Sequence, residues 1–212
     1  MKDTLQINKE HSERYVQHKG YYEIPQLLRE FIEKSKVICD LGCGDGAFIF
    51  SVAQEFPKIK IIGVDISPRR INGLKEKFKQ QNYLFLCEDV CETSIGSDSV
   101  DLVFCSQVIE HIQNDKRLVE EINRIIRPGG YLWISSVIKK AWAIYKYRNR
   151  YGNFVLDPTH EREYKDEKEF KNLLKNKFEI ITLEVLPVRR KYLIPIRIPG
   201  YSVVRSLARK IQ

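Results

Sequence analysis

No apolar stretch in this 212-residue sequence reaches the roughly 20 residues that a membrane-spanning helix requires. Met1 to Glu10 lacks the basic start, apolar middle and small-residue cleavage pattern of an export signal, so a cytoplasmic location is expected. Internal repeats and low-complexity tracts are absent as well. Cysteine is sparse and odd in number, at Cys39, Cys43, Cys87, Cys91 and Cys105. The matched spacing of Cys39/Cys43 and Cys87/Cys91 raises the idea of a four-thiolate metal centre. Cys39 lies in a predicted strand, however, Cys43 lies in a glycine loop, and no histidine completes a familiar spacing. No metal is expected, and the thiols read as reduced and mostly buried.

Acidic residues are missing from two segments. Val137 to Leu156 carries Lys139, Lys140, Lys146, Arg148 and Arg150 with no acid, and none follows Glu184 either. Much of the net charge of +8 comes from these segments. A polyanion, a phosphorylated substrate or an anionic membrane surface could use them, and solubility alone could account for part. Otherwise 43% hydrophobic and 30% charged residues describe an ordinary globular chain of one domain.

What is present is an alternation of strands and helices. Residues 1–36 read as a helical cap, with Tyr22, Leu27, Leu28, Phe31 and Ile32 near one face and Pro25 early. Strands are expected at Val37–Leu41, Lys60–Asp65, Tyr83–Cys87, Asp101–Cys105 and Tyr131–Ser136. Helices are expected from Ala47 to about Phe56, from a Ser67 cap to about Gln80, and from an Asn114 cap to the Pro128-Gly129-Gly130 stop. Residues 137–165 form an aromatic and basic insertion, expected to act as a lid. In 166–212, Asp166 caps a helix to Leu174 with Glu169 in the capping-box position. Phe178–Leu186 reads as a strand and Tyr192–Ile198 as an edge strand. Val203, Val204, Leu207 and Ile211 oppose Arg205, Arg209 and Lys210 on a terminal amphipathic helix. The pattern predicts an α/β fold with a mostly parallel sheet, whose ligands gather beyond the carboxyl ends of the strands.

The residues at those ends are informative. Gly42-Cys43-Gly44-Asp45-Gly46-Ala47 satisfies the loose dinucleotide pattern, but Asp40 and Asp45 are poor neighbours for a pyrophosphate. They suit S-adenosylmethionine, which carries an ammonium and a sulfonium and no phosphate. Asp65 stands about twenty residues on, where an acid can accept from ribose hydroxyls, and Asp89 stands where an adenine amino group could bind.

The run Val37 to Gly46 resembles motif I of the class I methyltransferases. Gly63-Val64-Asp65-Ile66-Ser67 resembles their ribose-binding motif, and Cys87-Glu88-Asp89-Val90 their adenine-contacting one. Asp101-Leu102-Val103-Phe104-Cys105-Ser106-Gln107-Val108-Ile109-Glu110-His111-Ile112 is similar to a signature of the branch containing many small-molecule methyltransferases. Arg127-Pro128-Gly129-Gly130 matches the turn before their fifth strand. The resemblance spans 37–136. It implies a Rossmann-like sheet of seven strands, the last antiparallel, with helices on both faces. It also implies that Asp40, Gly42, Cys43, Gly44, Gly46, Asp65, Ile66, Asp89, Val90, Cys105 and Ser106 hold the donor, leaving S-adenosyl-L-homocysteine as product.

Methyl transfer is an in-line displacement that imposes no obligatory triad; a base is needed only where the acceptor loses a proton. His111 and His160 are the candidate bases, the latter in a His-x-Arg-x-aromatic stretch of the kind that borders the acceptor pocket in many relatives. Gln107, Arg162 and Tyr164 are the candidate acceptor contacts. Against them stand ordinary readings, a helix-entry histidine and a solvated loop. The expected acceptor is a small molecule, a glycan or a lipid-linked intermediate, with peripheral membrane contact through the basic tail. An RNA methyltransferase is the second reading, a non-catalytic binding subunit the third and a nicotinamide oxidoreductase the fourth.

Overall fold

A computed structural model describes Gln6, Lys9 and residues 21–139, 147–189 and 197–211. One seven-stranded sheet dominates it, in the order β3-β2-β1-β4-β5-β9-β8. The strands are β1 (Val37–Leu41), β2 (Lys60–Asp65), β3 (Tyr83–Cys87), β4 (Val100–Ser106), β5 (Ile126–Lys139), β8 (Phe178–Arg189) and β9 (Arg197–Lys210). The pairs among β1 to β5 are parallel, whereas β9 runs antiparallel to both β5 and β8. A two-stranded ribbon, β6 (Tyr147–Arg148) and β7 (Phe154–Val155), stands apart within the insertion.

Five helices accompany the sheet among the described residues: α1 (Gln26–Glu33), α2 (Ala47–Glu55), α3 (Pro68–Lys77), α4 (Asp115–Ile125) and α5 (Glu167–Leu174). Their starts follow local chemistry. The Ser67, Asn114 and Asp166 side chains accept from Arg70 N, Arg117 N and Glu169 N. Glu169 completes its box one residue early, accepting from Lys165 N at 2.8 Å. α4 stops at Ile125, ahead of Pro128, because Ile126 already turns extended and joins β5.

Two apolar clusters pack on the sheet. One gathers Cys39, Leu41, Val103, Cys105, Ile122, Ile134, Phe170 and Val204; the other gathers Leu28, Ile32, Ile38, Ile49, Leu74, Phe104, Trp133 and Leu207. Cys39 and Cys43 belong to different clusters.

The terminal segment corrects the sequence reading: residues 197–210 are a strand in the sheet interior, not an amphipathic helix. β9 is paired by β5 over Tyr201–Arg209 and by β8 along its other edge. Val204, Ser206, Leu207 and Ala208 are fully buried. A short apolar run buried on both faces carries no clean period of two, so its spacing imitates a helical stripe. Two of its cations are held by acids. Arg205 Nε bonds Glu184 Oε2 at 2.6 Å, and Lys210 Nζ bonds Asp98 Oδ1 and the Ile126 carbonyl at 2.7 Å each. The helix that was to carry membrane contact does not exist. No helix among the described residues is long and apolar enough to span a bilayer. The Tyr192–Ile198 strand lies mostly outside the described residues, as do Trp142 and Tyr145.

Candidate functional site

The glycine loop between β1 and α2 turns on three left-handed residues, Gly42, Gly44 and Gly46. At Gly42 (φ 73°) a Cβ would sit 2.3 Å from Val108 Cγ2, so both backbone and space demand glycine there. Its N–H groups are largely spent. Gly42 N and Cys43 N donate to the Val64 carbonyl at 2.8 and 2.9 Å, Gly46 N to the Cys43 carbonyl at 2.9 Å, and Gly44 N to Asp65 Oδ2 at 2.9 Å. A phosphate cradle needs such donors free and converging. This loop turns them onto β2 and onto itself.

Its carboxylates divide the work unevenly. Asp40 is buried at the end of β1, and burial, with Asp65 nearby, pushes its carboxyl well above the usual range. Asp65 ends β2 and clamps two segments, accepting from Gly44 N and, through Oδ1, from Ser67 N at 2.9 Å. A carboxylate oxygen can accept from more than one donor, which suits it to a hydroxyl. Asp45 corrects the charge argument: its Oδ1 lies 3.9 Å from Nε of the buried Arg70, which offsets its charge. Discrimination against phosphate therefore rests on Asp40, Asp65 and the spent N–H groups. Asp89 is half-buried and accepts from Cys91 N at 2.8 Å in its own turn, beside buried Val90 and one strand away from half-buried Ile66.

A cleft of about 340 Å³ opens beyond β4 and β5, lined by Tyr22, Ser106, Gln107, Trp133, Ser135 and Arg205 among others. Gln107 adopts φ 57°, an uncommon conformation for a residue with a side chain. That geometry lets its N–H reach the Ser135 carbonyl at 3.2 Å. Ser106 Oγ and Ser135 Oγ share a hydrogen bond of 2.8 Å. Tyr22 packs edge-on against Phe104 and Phe48, and burial pushes its hydroxyl up.

Ser136 follows Ser135 on β5, so its side chain faces the opposite side. There it donates to Glu110 Oε2 at 3.0 Å. Burial pushes the Glu110 carboxyl up to about 7, against the pull of its own backbone, His160 and Ser136. His111 and His160, 49 positions apart, come together edge-on with ring centroids 5.0 Å apart. His160 Nδ1 bonds Glu163 Oε1 at 2.7 Å, and His111 Nδ1 bonds Thr159 Oγ1 at 3.1 Å.

Three predicted site residues are differently employed. The Cys105 side chain is fully buried in the β4 core, where burial raises its thiol well above the usual range. Tyr164 and Arg162 both bind Asp115 Oδ2, at 3.2 and 2.5 Å, and so fasten the insertion to α4. Arg and Tyr in a loop read as ligand contacts because nothing local reveals a distant acid. Tyr22, Trp133 and Arg205 were missed, since their positions matter only once β9 is placed beside β5.

The methyltransferase domain family profile matches residues 39–134, from inside β1 to the middle of β5. These residues are a methyltransferase domain of the class I, S-adenosylmethionine-dependent kind. The chain is 26% identical over 200 residues to malonyl-[acyl-carrier protein] O-methyltransferase 2 of Ilyobacter polytropus, covering 91% of this chain and 76% of that one. It is 28% identical over 106 residues to the ubiquinone biosynthesis O-methyltransferase of Coxiella burnetii, spanning 49% of this chain but only 44% of that protein. In fold the methyltransferase is similar to geranyl diphosphate C-methyltransferase of Streptomyces coelicolor, solved with S-adenosyl-L-homocysteine. The TM-score is 0.72 at 11% identity, over 99% of both chains. Its donor is S-adenosylmethionine, and the sheet has the seven strands and antiparallel last strand that the resemblance implied.

Proposed function

We propose that this methyltransferase acts on a small-molecule acceptor, free or carried on a glycan or lipid, bound in the cleft beyond β4 and β5. The carrying observation is the cleft's place: it is lined by Ser106, which ends β4, and by Gln107 directly after it, and β4's neighbour β1 leads into the glycine loop. Donor and acceptor would thus meet across one strand end, as in-line displacement requires. Asp40 would hold the ammonium, Asp65 the ribose and Asp89 the adenine, with Gly42, Cys43, Gly44, Gly46, Ile66 and Val90 shaping the pocket. His111 and His160, the candidate bases, cluster with Glu110 on the Ser136 side of β5 and do not line this cleft. The small-molecule relatives favour this reading over RNA.

The test is transfer of a labelled methyl group into a cell extract, followed by separation into small-molecule, lipid, glycan and RNA pools. Label in the small-molecule, lipid or glycan pools is expected. Label confined to RNA overturns the acceptor assignment, and Gln107→Ala should reduce transfer while adenosylhomocysteine affinity stays within a few-fold of wild type.

A further inference from the structure

The insertion brings His160 against Glu110 and His111, and one ligand atom of each of the three lies within 4.8 Å of the other two. Hydrogen bonding fixes both imidazole tautomers. The Thr159 hydroxyl has a single proton, which it donates to Asp157 Oδ1 at 2.6 Å. Its contact with His111 Nδ1 therefore has the histidine as donor. Glu163 Oε1 already accepts from Leu156 N at 2.6 Å, and as a carboxylate it accepts from His160 Nδ1 as well. In a neutral ring with Nδ1 as the donor, the lone pair is on Nε2. Two imidazole acceptors and a carboxylate thus converge, each oriented by a second partner: Thr159–Asp157, Glu163 and Ser136. Such outer partners are what a metal-ligating histidine requires. Charge points the same way. Glu110 and Glu163 are both buried, while the nearby guanidiniums are engaged elsewhere, Arg150 with Glu161 and Arg162 with Asp115.

We propose that Glu110, His111 and His160 form a binding site for a first-row divalent cation of the Zn²⁺ type, with at least one coordination position open. Two histidines and one glutamate are a known Zn²⁺ donor set, and the ligand atoms would draw together by a distance on the order of 1 Å to reach bonding range. The site goes beyond the proposed acceptor reading. A water or hydroxyl oxygen on the open position would lose its proton more readily, so the histidines would act as ligands rather than as bases themselves.

The test titrates chelator-treated full-length protein with ZnCl₂ by calorimetry and with CoCl₂ by visible absorption. One equivalent of each is expected, with Co²⁺ ligand-field bands and no thiolate charge-transfer absorption in the near ultraviolet. His160→Ala should abolish stoichiometric binding, and Glu163→Gln should weaken it about 10–100-fold. Wild-type protein that binds neither ion stoichiometrically overturns the proposal, whatever the variants do. So does a thiolate band, which would place the ion at Cys87 and Cys91, or a His160→Ala protein that binds as tightly as wild type. Adenosylhomocysteine binding, measured in parallel, reports on the donor site independently of the outcome.

Discussion

Gly42 and Asp40 carry sharp consequences at the scale of one residue. Gly42→Ala combines a positive φ with a Cβ against Val108. The strain should lower stability by about 1–3 kcal/mol, read by chemical denaturation, and adenosylhomocysteine affinity should fall with it. For Asp40, burial raises the carboxyl in the empty protein, so it holds a proton more readily than an exposed acid. An ammonium bound beside it would pull that value down, and binding would release protons. Calorimetry in two buffers of different protonation enthalpy should therefore reveal proton release, with affinity rising as pH rises between the empty and bound values. Asp40→Asn should bind about tenfold more weakly and release fewer protons; identical release would place the ammonium elsewhere. At this scale the sequence was readable where chemistry is local, in the three glycines and in Asp65 at a strand end. It was unreadable where a partner is distant. Nothing near Asp45 announces Arg70, and nothing near Tyr164 announces Asp115.

Among elements, β9 is the instructive one. The caps at Ser67, Asn114 and Asp166 were legible because an N-cap is decided within three residues. β9 was not, because its conformation is imposed by strands on either side. Deleting Tyr201 to Gln212 should therefore abolish folding, seen as loss of the native circular dichroism spectrum and rapid proteolysis. A folded, merely detached variant would contradict the placement. More gently, Leu207→Ala should cost about 2–5 kcal/mol in denaturant unfolding, since the side chain is fully buried between β9 and the Trp133 cluster.

For the molecule as a whole, one continuous sheet holds both apolar clusters, so unfolding should be a single cooperative transition. The donor loop joins β1 to α2 and, through Asp65, to α3, so ligand binding should stabilise the whole. At a hundredfold excess over Kd, adenosylhomocysteine should add about 2.7 kcal/mol, or roughly 5–10 °C in Tm for a chain of this size. NAD at equal concentration should add nothing. The overall architecture was accessible beforehand because the motifs occur in chain order at successive strand ends. The cleft was not, because it is assembled from strands distant in sequence, β5, β8 and β9, and from Tyr22 ahead of α1.

Ser135 and Ser136 place this whole arrangement on a matter of parity. One hydroxyl serves the cleft and the next serves Glu110, only because odd and even positions of β5 point oppositely. Shifting the frame of that strand by one position would exchange the two serines between compartments and turn Trp133 out of its cluster. Evolution can thus vary the chemistry of this strand far more freely than its length.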